Sequence, residues 1–249
     1  VSTELESVLA NAARRVPGMV GVIAHDGPPG IRAGADNSAL IARLRDHWRA
    51  RYPEAGPHYL ALRCWGLLIW QPIYLGVIAA HEARGVPDLS RLSAPWRDDG
   101  FLAGYHISRH ALRHGVFHAR MDDVAGQLRA LCAGLLAELS SVVHISAKAA
   151  QCMQADIVLN ALLTLRPDDR EKSNAQAQCR AAQWLARLGL SGRSSYFECG
   201  APGRPLLAVD RQVCCHYFRK RDGDYCSTCP KLEMHERIIR LHAEQVQAA

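Results

Sequence analysis

Leu206-Leu207-Ala208-Val209-Asp210-Arg211-Gln212-Val213-Cys214-Cys215-His216-Tyr217-Phe218-Arg219, closed by Cys226-Ser227-Thr228-Cys229-Pro230, is the stretch that governs the reading of this chain. An apolar run delivers two adjacent cysteines, and a Cys-x-x-Cys follows ten residues later. Four thiols in so short a span form a ligand set, because soft sulfur donors select zinc, Cu(I) or iron–sulfur clusters. A structural zinc site normally uses two Cys-x-x-Cys knuckles, each wrapping one small ion. Adjacent cysteines cannot form such a knuckle, since neighbouring side chains diverge in extended backbone. A binuclear cluster is larger and accepts thiolates from different directions. The residues therefore favour a [2Fe–2S] centre on Cys214, Cys215, Cys226 and Cys229, with zinc, disulfides or plain buried thiols as alternatives.

Upstream, Ser194 to Cys199 and Pro205 to Val209 read as a β-hairpin around Gly200–Gly203 that leads into Cys214. Downstream, a helix is expected from Pro230, carrying Leu232, His235, Ile238, Ile239 and His242. Its free N–H groups would aim back at Cys226 and Cys229. Between the cysteine pairs lies the basic turn Arg219-Lys220-Arg221, with Arg211 ahead of it. A four-thiolate [2Fe–2S] centre carries a formal charge of −2 that becomes −3 on reduction, so cations curled around it favour the reduced form. A solvated basic loop is the plainer alternative.

Further upstream the texture is helical. Ser38 to Arg51 is a helix ending before Pro53, and Asp26 to Gly30 is a Gly/Pro-rich loop. Leu60 to Arg84 is a buried, nearly all-apolar helical segment kinked or interrupted at Pro72. Pro87 to Pro95 reads as a linker, and Gly104 and Gly115 suggest short strands within Phe101 to Arg120. Three helices follow. Asp122-Asp123 open the first, whose face holds Val124, Leu128, Leu131, Leu135, Leu139 and Val142. Ser146 caps the second, which carries Cys152, Met153, Ile157 and Leu162, and the third runs from about Asp168 to Leu188 and stops at Gly189. The expected fold class is α+β, predominantly α-helical with a few short antiparallel strands and a C-terminal four-cysteine segment. Two parts are expected: a mainly helical domain over 1–193, and a hairpin plus cluster-binding segment over 194–249 packed on it.

The 249 residues suffice for a sizeable core, and the net charge of +6 is below the signature of a nucleic-acid binder. The few aromatics do not alternate with Lys or Arg as stacking platforms do. The start, Val1-Ser2-Thr3-Glu4-Leu5-Glu6, has no apolar targeting segment, and the greasy run Trp65 to Ala80 is broken by Gln71-Pro72 and short for a bilayer. Nine cysteines without a signal segment point to a reducing compartment, the cytoplasm.

Other candidates carry less. His106, His110, His114 and His118 recur every fourth residue, but Gly104 and Gly115 argue against one helix, so solvated or hydrogen-bonded histidines are expected. His81-Glu82 lacks the second histidine of a zincin helix. Cys64, Cys132, Cys152, Cys179 and Cys199 are expected as core thiols, and Trp65, Trp70, Trp96 and Trp184 as core. Asp98-Asp99, Asp122-Asp123 and Asp168-Asp169 suit loops and helix starts, and no Ser/His/Asp or paired-carboxylate arrangement stands out.

The apolar run, Asp210-Arg211, Cys214-Cys215 with aromatics and Arg219 behind, and Cys226-Ser227-Thr228-Cys229-Pro230 together resemble the siderophore-iron reductase family, also called the ferric iron reductase protein family. The resemblance covers roughly the last fifty residues, with Ser227 where a glycine is common and His216 where an apolar residue is usual. It implies a cytoplasmic reductase that passes one electron from a [2Fe–2S] cluster to a ferric siderophore, hydroxamate chelates first, and releases Fe2+. No Gly-x-Gly-x-x-Gly nucleotide motif is present, so an external donor such as a ferredoxin or flavoprotein is implied, and Arg219, Lys220 and Arg221 are candidates to dock it or an anionic chelate. The competing readings are an iron–sulfur electron carrier without a siderophore pocket, and a zinc-stabilised binding module.

Overall fold

A computed structural model describes residues 2–24, 30–102, 104–165, 170–200 and 206–247. Seven α-helices lie among them: α1 (Ser2–Arg15), α2 (Ser38–Arg51), α3 (Gly56–Glu82), α4 (Phe117–Val142), α5 (Ala147–Leu163), α6 (Arg170–Leu188) and α7 (Met234–Gln247). The strands are short: β1 (Gly21–Ile23), β2 (Gly30–Arg32), β3 (Gly85–Val86), β4 (Leu92–Pro95), β5 (Tyr105–Ile107), β6 (Arg113–His114), β7 (Ser195–Glu198) and β8 (Leu207–Asp210). The fold is predominantly helical with small sheets, as the sequence pattern implies.

α3 is the central element. Most of its side chains are buried, and it packs against α1, α2, α4 and α5. A helix apolar on every side is a core helix or a membrane span. By length and composition α3 qualifies for either, but 78% of its most apolar window is buried by the rest of the chain. Pro72 removes one backbone donor, and of the two expected outcomes, a kink or an interruption, the helix is not interrupted. Packing on all sides outweighs the lost hydrogen bond. Trp65 Nε1 donates to Ala150 O at 2.9 Å, tying α3 to the start of α5. Gly76 permits close approach of α4, since a Cβ there would lie 2.7 Å from Val124 Cγ1.

Four strands form a sheet in the order β1-β5-β4-β2. Its β2–β4 and β4–β5 pairs are antiparallel as expected, and β1–β5 adds one parallel pair. The segment read as a linker, Pro87 to Pro95, contains β4, whose Leu92 and Ser93 pair with Ile107 and His106. β3 pairs with β6, and β7 pairs antiparallel with β8 as the hairpin reading required, Ser195 opposite Asp210 and Glu198 opposite Leu207. Residues 201–205 of that hairpin's turn, like 25–29 of the Gly/Pro-rich loop and Asp168-Asp169, lie outside the described residues.

Several boundaries differ from the sequence reading. α1 was not foreseen, although Leu5, Val8, Leu9 and Ala12, all buried, carry the i, i+3, i+4, i+7 spacing of an amphipathic helix. α4 begins at Phe117, a turn before Asp122, while α2 and the α5 cap hold: Ser146 Oγ accepts from Ala149 N at 3.2 Å. α7 begins at Met234 and not at Pro230, because turns closed by Cys229 N to Cys226 O and Leu232 N to Cys229 O come first.

Candidate metal centre

β8 ends at Asp210 and hands the chain to Arg211, and these two side chains fix the segment that follows. Arg237 of α7, 8% exposed, donates to Asp210 Oδ1 at 2.9 Å and to Leu232 O at 3.2 Å. Arg240, one turn further along, donates to Asp224 at 2.8 Å and to Tyr225 O at 2.8 Å. α7 therefore clamps both ends of the cysteine loop. Phe218 stacks on Tyr225 with centroids 4.6 Å apart, which closes the connection between the cysteine pairs. Arg221 N donates to Glu54 at 2.6 Å, and Lys220 lies over the rings of Tyr217 and Tyr52, so the basic turn leans on the corner between α2 and α3.

The four thiols come together as two pairs. Cys214 Sγ and Cys229 Sγ are 3.6 Å apart, both buried with Leu232. Cys226 donates to Cys215, and both are half-buried. Two thiolates on one tetrahedral metal, at M–S distances of about 2.3 Å, sit roughly 3.8 Å apart, so the Cys214–Cys229 spacing suits a shared iron. Among the described residues no three His, Cys, Asp or Glu side chains gather closely enough for a single ion. Thiols brought together two by two suit a binuclear cluster, in which each iron takes two thiolates.

Backbone donors serve the sulfurs where helix α7 does not. His216 N donates to Cys214 Sγ at 3.3 Å, and Tyr217 N donates to Cys215. His216 adopts the left-handed conformation (φ 58°), which costs a non-glycine residue about 1 kcal/mol. Successive N–H groups across such a residue make an anion-binding concavity. The His216 ring stacks on His58 with centroids 5.6 Å apart.

Arg211 supplies the charge. Its Nη1 lies 3.4 Å from Cys226 Sγ, and its Nε donates to Asp156 Oδ2 at 2.8 Å. Asp156 also accepts from Ser194 Oγ at 2.7 Å. Burial holds the Asp156 carboxyl above its ordinary range against both partners. Burial opposes the Arg211 charge, but Asp156 and the sulfurs of Cys215 and Cys226 more than offset it and hold the guanidinium protonated. Donation from Cys226, opposed by burial and aided by Arg211, pulls the Cys215 thiol below the ordinary range, whereas burial pushes Cys214 up. Neither Asp156 nor Ser194 was singled out from sequence. The available signal was a lone carboxylate on the otherwise apolar Ala155–Leu159 stretch of α5.

A solvent-open cavity of about 480 Å³ lies against this site, walled by Cys215 and Arg211 on one side and by Arg63, Trp70, Phe101 and Met153 on the others. Trp70 packs half-buried on the edge of the core and also lines this cavity, Trp96 is half-buried against the same core, and Trp65 and Trp184 are fully buried as expected. The four-residue histidine pattern disperses over β5, a loop, β6 and α4. His110 Nε2 accepts from Asp88 N at 2.9 Å, and His114 lies 3.1 Å from Glu4. Cys64, Cys132, Cys152 and Cys199 are buried, but Cys179 is exposed on α6, contrary to its expected core position. His81, half-buried in the last turn of α3, accepts from Trp184 Nε1 at 2.9 Å.

With this geometry established, the comparison with known families is specific to the same stretch: the model of the FhuF 2Fe-2S C-terminal domain matches residues 211–231. That span begins at Arg211 and holds all four clustered cysteines, so the chain carries a [2Fe–2S] segment of the type found in siderophore-iron reductases, and with it a redox role.

Proposed function

We propose that this chain is a ferric-siderophore reductase in which Cys214, Cys215, Cys226 and Cys229 ligate one [2Fe–2S] cluster, Cys214 and Cys229 on one iron and Cys215 and Cys226 on the other. When bound, the cluster supplies electrons one at a time, the stoichiometry of Fe3+ reduction. Hydroxamate oxygens are hard donors that hold Fe3+ far better than the larger, less charged Fe2+, so reduction loosens the chelate and frees the metal. The observation that carries this reading is the cavity against Cys215: a site of this volume, mostly apolar with a few convergent polar groups, has the character of a small-molecule pocket. A bare electron carrier has no need of one.

The residues divide the work. Cys215 forms part of the cavity wall, so its sulfur lies on the shortest path to a chelate seated there. Arg211 favours the more negative state of the neighbouring sulfurs, and Asp156 and Ser194 hold it in place. None of the nine cysteines is joined in a disulfide, which suits a reducing compartment, and we place the protein in the cytoplasm with a ferredoxin or flavoprotein as electron donor. We assign the helical part, 1–193, and the segment 194–249 to opposite walls of the cavity. The test is an anaerobic preparation analysed for iron and acid-labile sulfide, then reduced and mixed with ferric hydroxamates. A colourless zinc protein, or a reduced protein that no ferric chelate reoxidises, would overturn the proposal.

A further inference from the structure

Arg63 projects from α3 into the same cavity, and its Nε is buried with no hydrogen-bond partner among the described residues. Its guanidinium carbon lies 4.3 Å from the Trp48 ring centroid and 4.9 Å from that of Phe101. Ring faces hold the cation in position but do not use its N–H donors. Nε itself is closed off beside the rings, so a ligand in the cavity meets the terminal N–H donors of the guanidinium, for which no acceptor stands among the described residues. Arg211, across the cavity, is neutralised by Asp156, whereas no carboxylate pairs with Arg63 among the described residues.

We propose that Arg63 grips the iron-bound oxygens of a ferric hydroxamate seated in this cavity and, by doing so, makes the chelate easier to reduce; the inference rests on the reductase reading above. A hydroxamate oxygen bound to the metal keeps an outward-facing lone pair, which can accept a charge-assisted hydrogen bond from a guanidinium N–H. The hydrocarbon arms of the chelate fit the apolar walls, Trp70 and Met153 among them. Gly66, one turn from Arg63 on α3, keeps that space open: a Cβ there would already stand 3.4 Å from Met153 Sδ. In the chemical step the chelated Fe3+ gains one electron and becomes Fe2+. The electron comes from the reduced [2Fe–2S] centre, itself replenished by a ferredoxin or flavoprotein. No proton moves, and the charge of the chelate falls by one unit. Arg63 stays protonated, so it stabilises the product of electron transfer more than the reactant.

The test uses the full chain with its cluster in place and the gallium(III) complex of a trihydroxamate, which has the shape and charge of the ferric complex but accepts no electron. Binding is followed by tryptophan fluorescence and by calorimetry. Arg63→Gln is expected to weaken binding at least tenfold and Arg63→Lys to recover part of it. Gly66→Phe is expected to abolish binding, and all three variants should keep the visible spectrum and cluster content of the parent. Wild-type affinity in both Arg63→Gln and Gly66→Phe, with cluster content intact, overturns the assignment of Arg63 and of the cavity. If the parent reduces ferric hydroxamates while these variants bind and react like it, only this inference falls. If the parent neither binds the gallium complex nor reduces any ferric chelate, the reductase reading falls with it.

Discussion

Replacing Arg211 by glutamine removes a guanidinium that lies 3.4 Å from Cys226 Sγ. Reduction adds one negative charge to the cluster, so the cation stabilises the reduced state more than the oxidised one. With the added charge centred about 5 Å from the guanidinium, Coulomb's law at an effective dielectric near 20 gives about 3.3 kcal/mol. Asp156, on the far side of Arg211, opposes it; at about 8 Å the same expression gives about 2 kcal/mol. The net contribution of the ion pair is therefore a little over 1 kcal/mol. For a one-electron couple 1.4 kcal/mol corresponds to about 59 mV. Arg211→Gln should then lower the cluster potential by about 140 mV if Asp156 stays ionised, and by about 50 mV if it protonates. Burial already holds the Asp156 carboxyl above its ordinary range, so loss of Arg211 moves it further toward the neutral form and the shift toward the smaller of the two figures. Leaving Asp156 unpaired also destabilises the fold, by about 3–5 kcal/mol for a broken buried pair. The double variant Arg211→Gln with Asp156→Asn removes both charges, keeps the fold, and should show the same drop of about 50 mV. The assay is a redox titration followed by visible absorbance or electron paramagnetic resonance. A potential unchanged within about 20 mV in both variants, at full cluster content, would refute the electrostatic role of this pair.

Serine in place of any one of Cys214, Cys215, Cys226 or Cys229 should bleach or destabilise the cluster, measured as iron and labile sulfide per chain, whereas Cys132→Ser and Cys152→Ser should retain it. Reversal of charge in the basic turn, Arg219→Glu with Arg221→Glu, should lower the potential and slow reduction by the donor. The slowing should shrink at high salt if docking is the cause, and an unchanged potential with salt-independent kinetics would identify a solvated loop. The third expectation concerns pH. Burial, with Arg180 and Arg120 nearby, pushes the His81 imidazole down to about 4 from 6.5, so it stays neutral and accepts from Trp184. Between those values the unfolded chain binds a proton that the folded one refuses, so stability falls as pH drops from about 6.5 to about 4, by up to roughly 3 kcal/mol. Thermal melts of His81→Gln should show a shallower decline over that window, and an identical slope would remove His81 from the account.

The parts of the fold legible in sequence are those fixed by local chemistry. Ser146 announces the start of α5, Pro53 follows the end of α2, and Gly200 and Gly203 between two short runs give the β7–β8 hairpin. At Pro72 the sequence left interruption open, because the cost of the proline is local while the burial that keeps α3 continuous is tertiary. α7 starts four residues late because the cysteine turns, with Cys229 N bonded to Cys226 O, take the backbone first. At the site, the cysteines and their Asp-Arg prelude were visible as a motif. The partners of that prelude were not, since Arg211 meets Asp156 across 55 residues and Asp210 meets Arg237 across 27. Arg63 carries no signature at all in a one-dimensional reading. Its significance comes from the cavity that α3 and α5 enclose with the cysteine loop.

Stopped-flow mixing of dithionite-reduced protein with a ferric trihydroxamate, in the presence of a ferrous-specific chelator, tests the central claim most directly. The account predicts that cluster reoxidation and Fe2+ capture run together, with one Fe2+ trapped for each cluster oxidised, and that the gallium complex leaves the cluster reduced. A cluster that stays reduced before every ferric chelate, or that reoxidises without release of Fe2+, would contradict it.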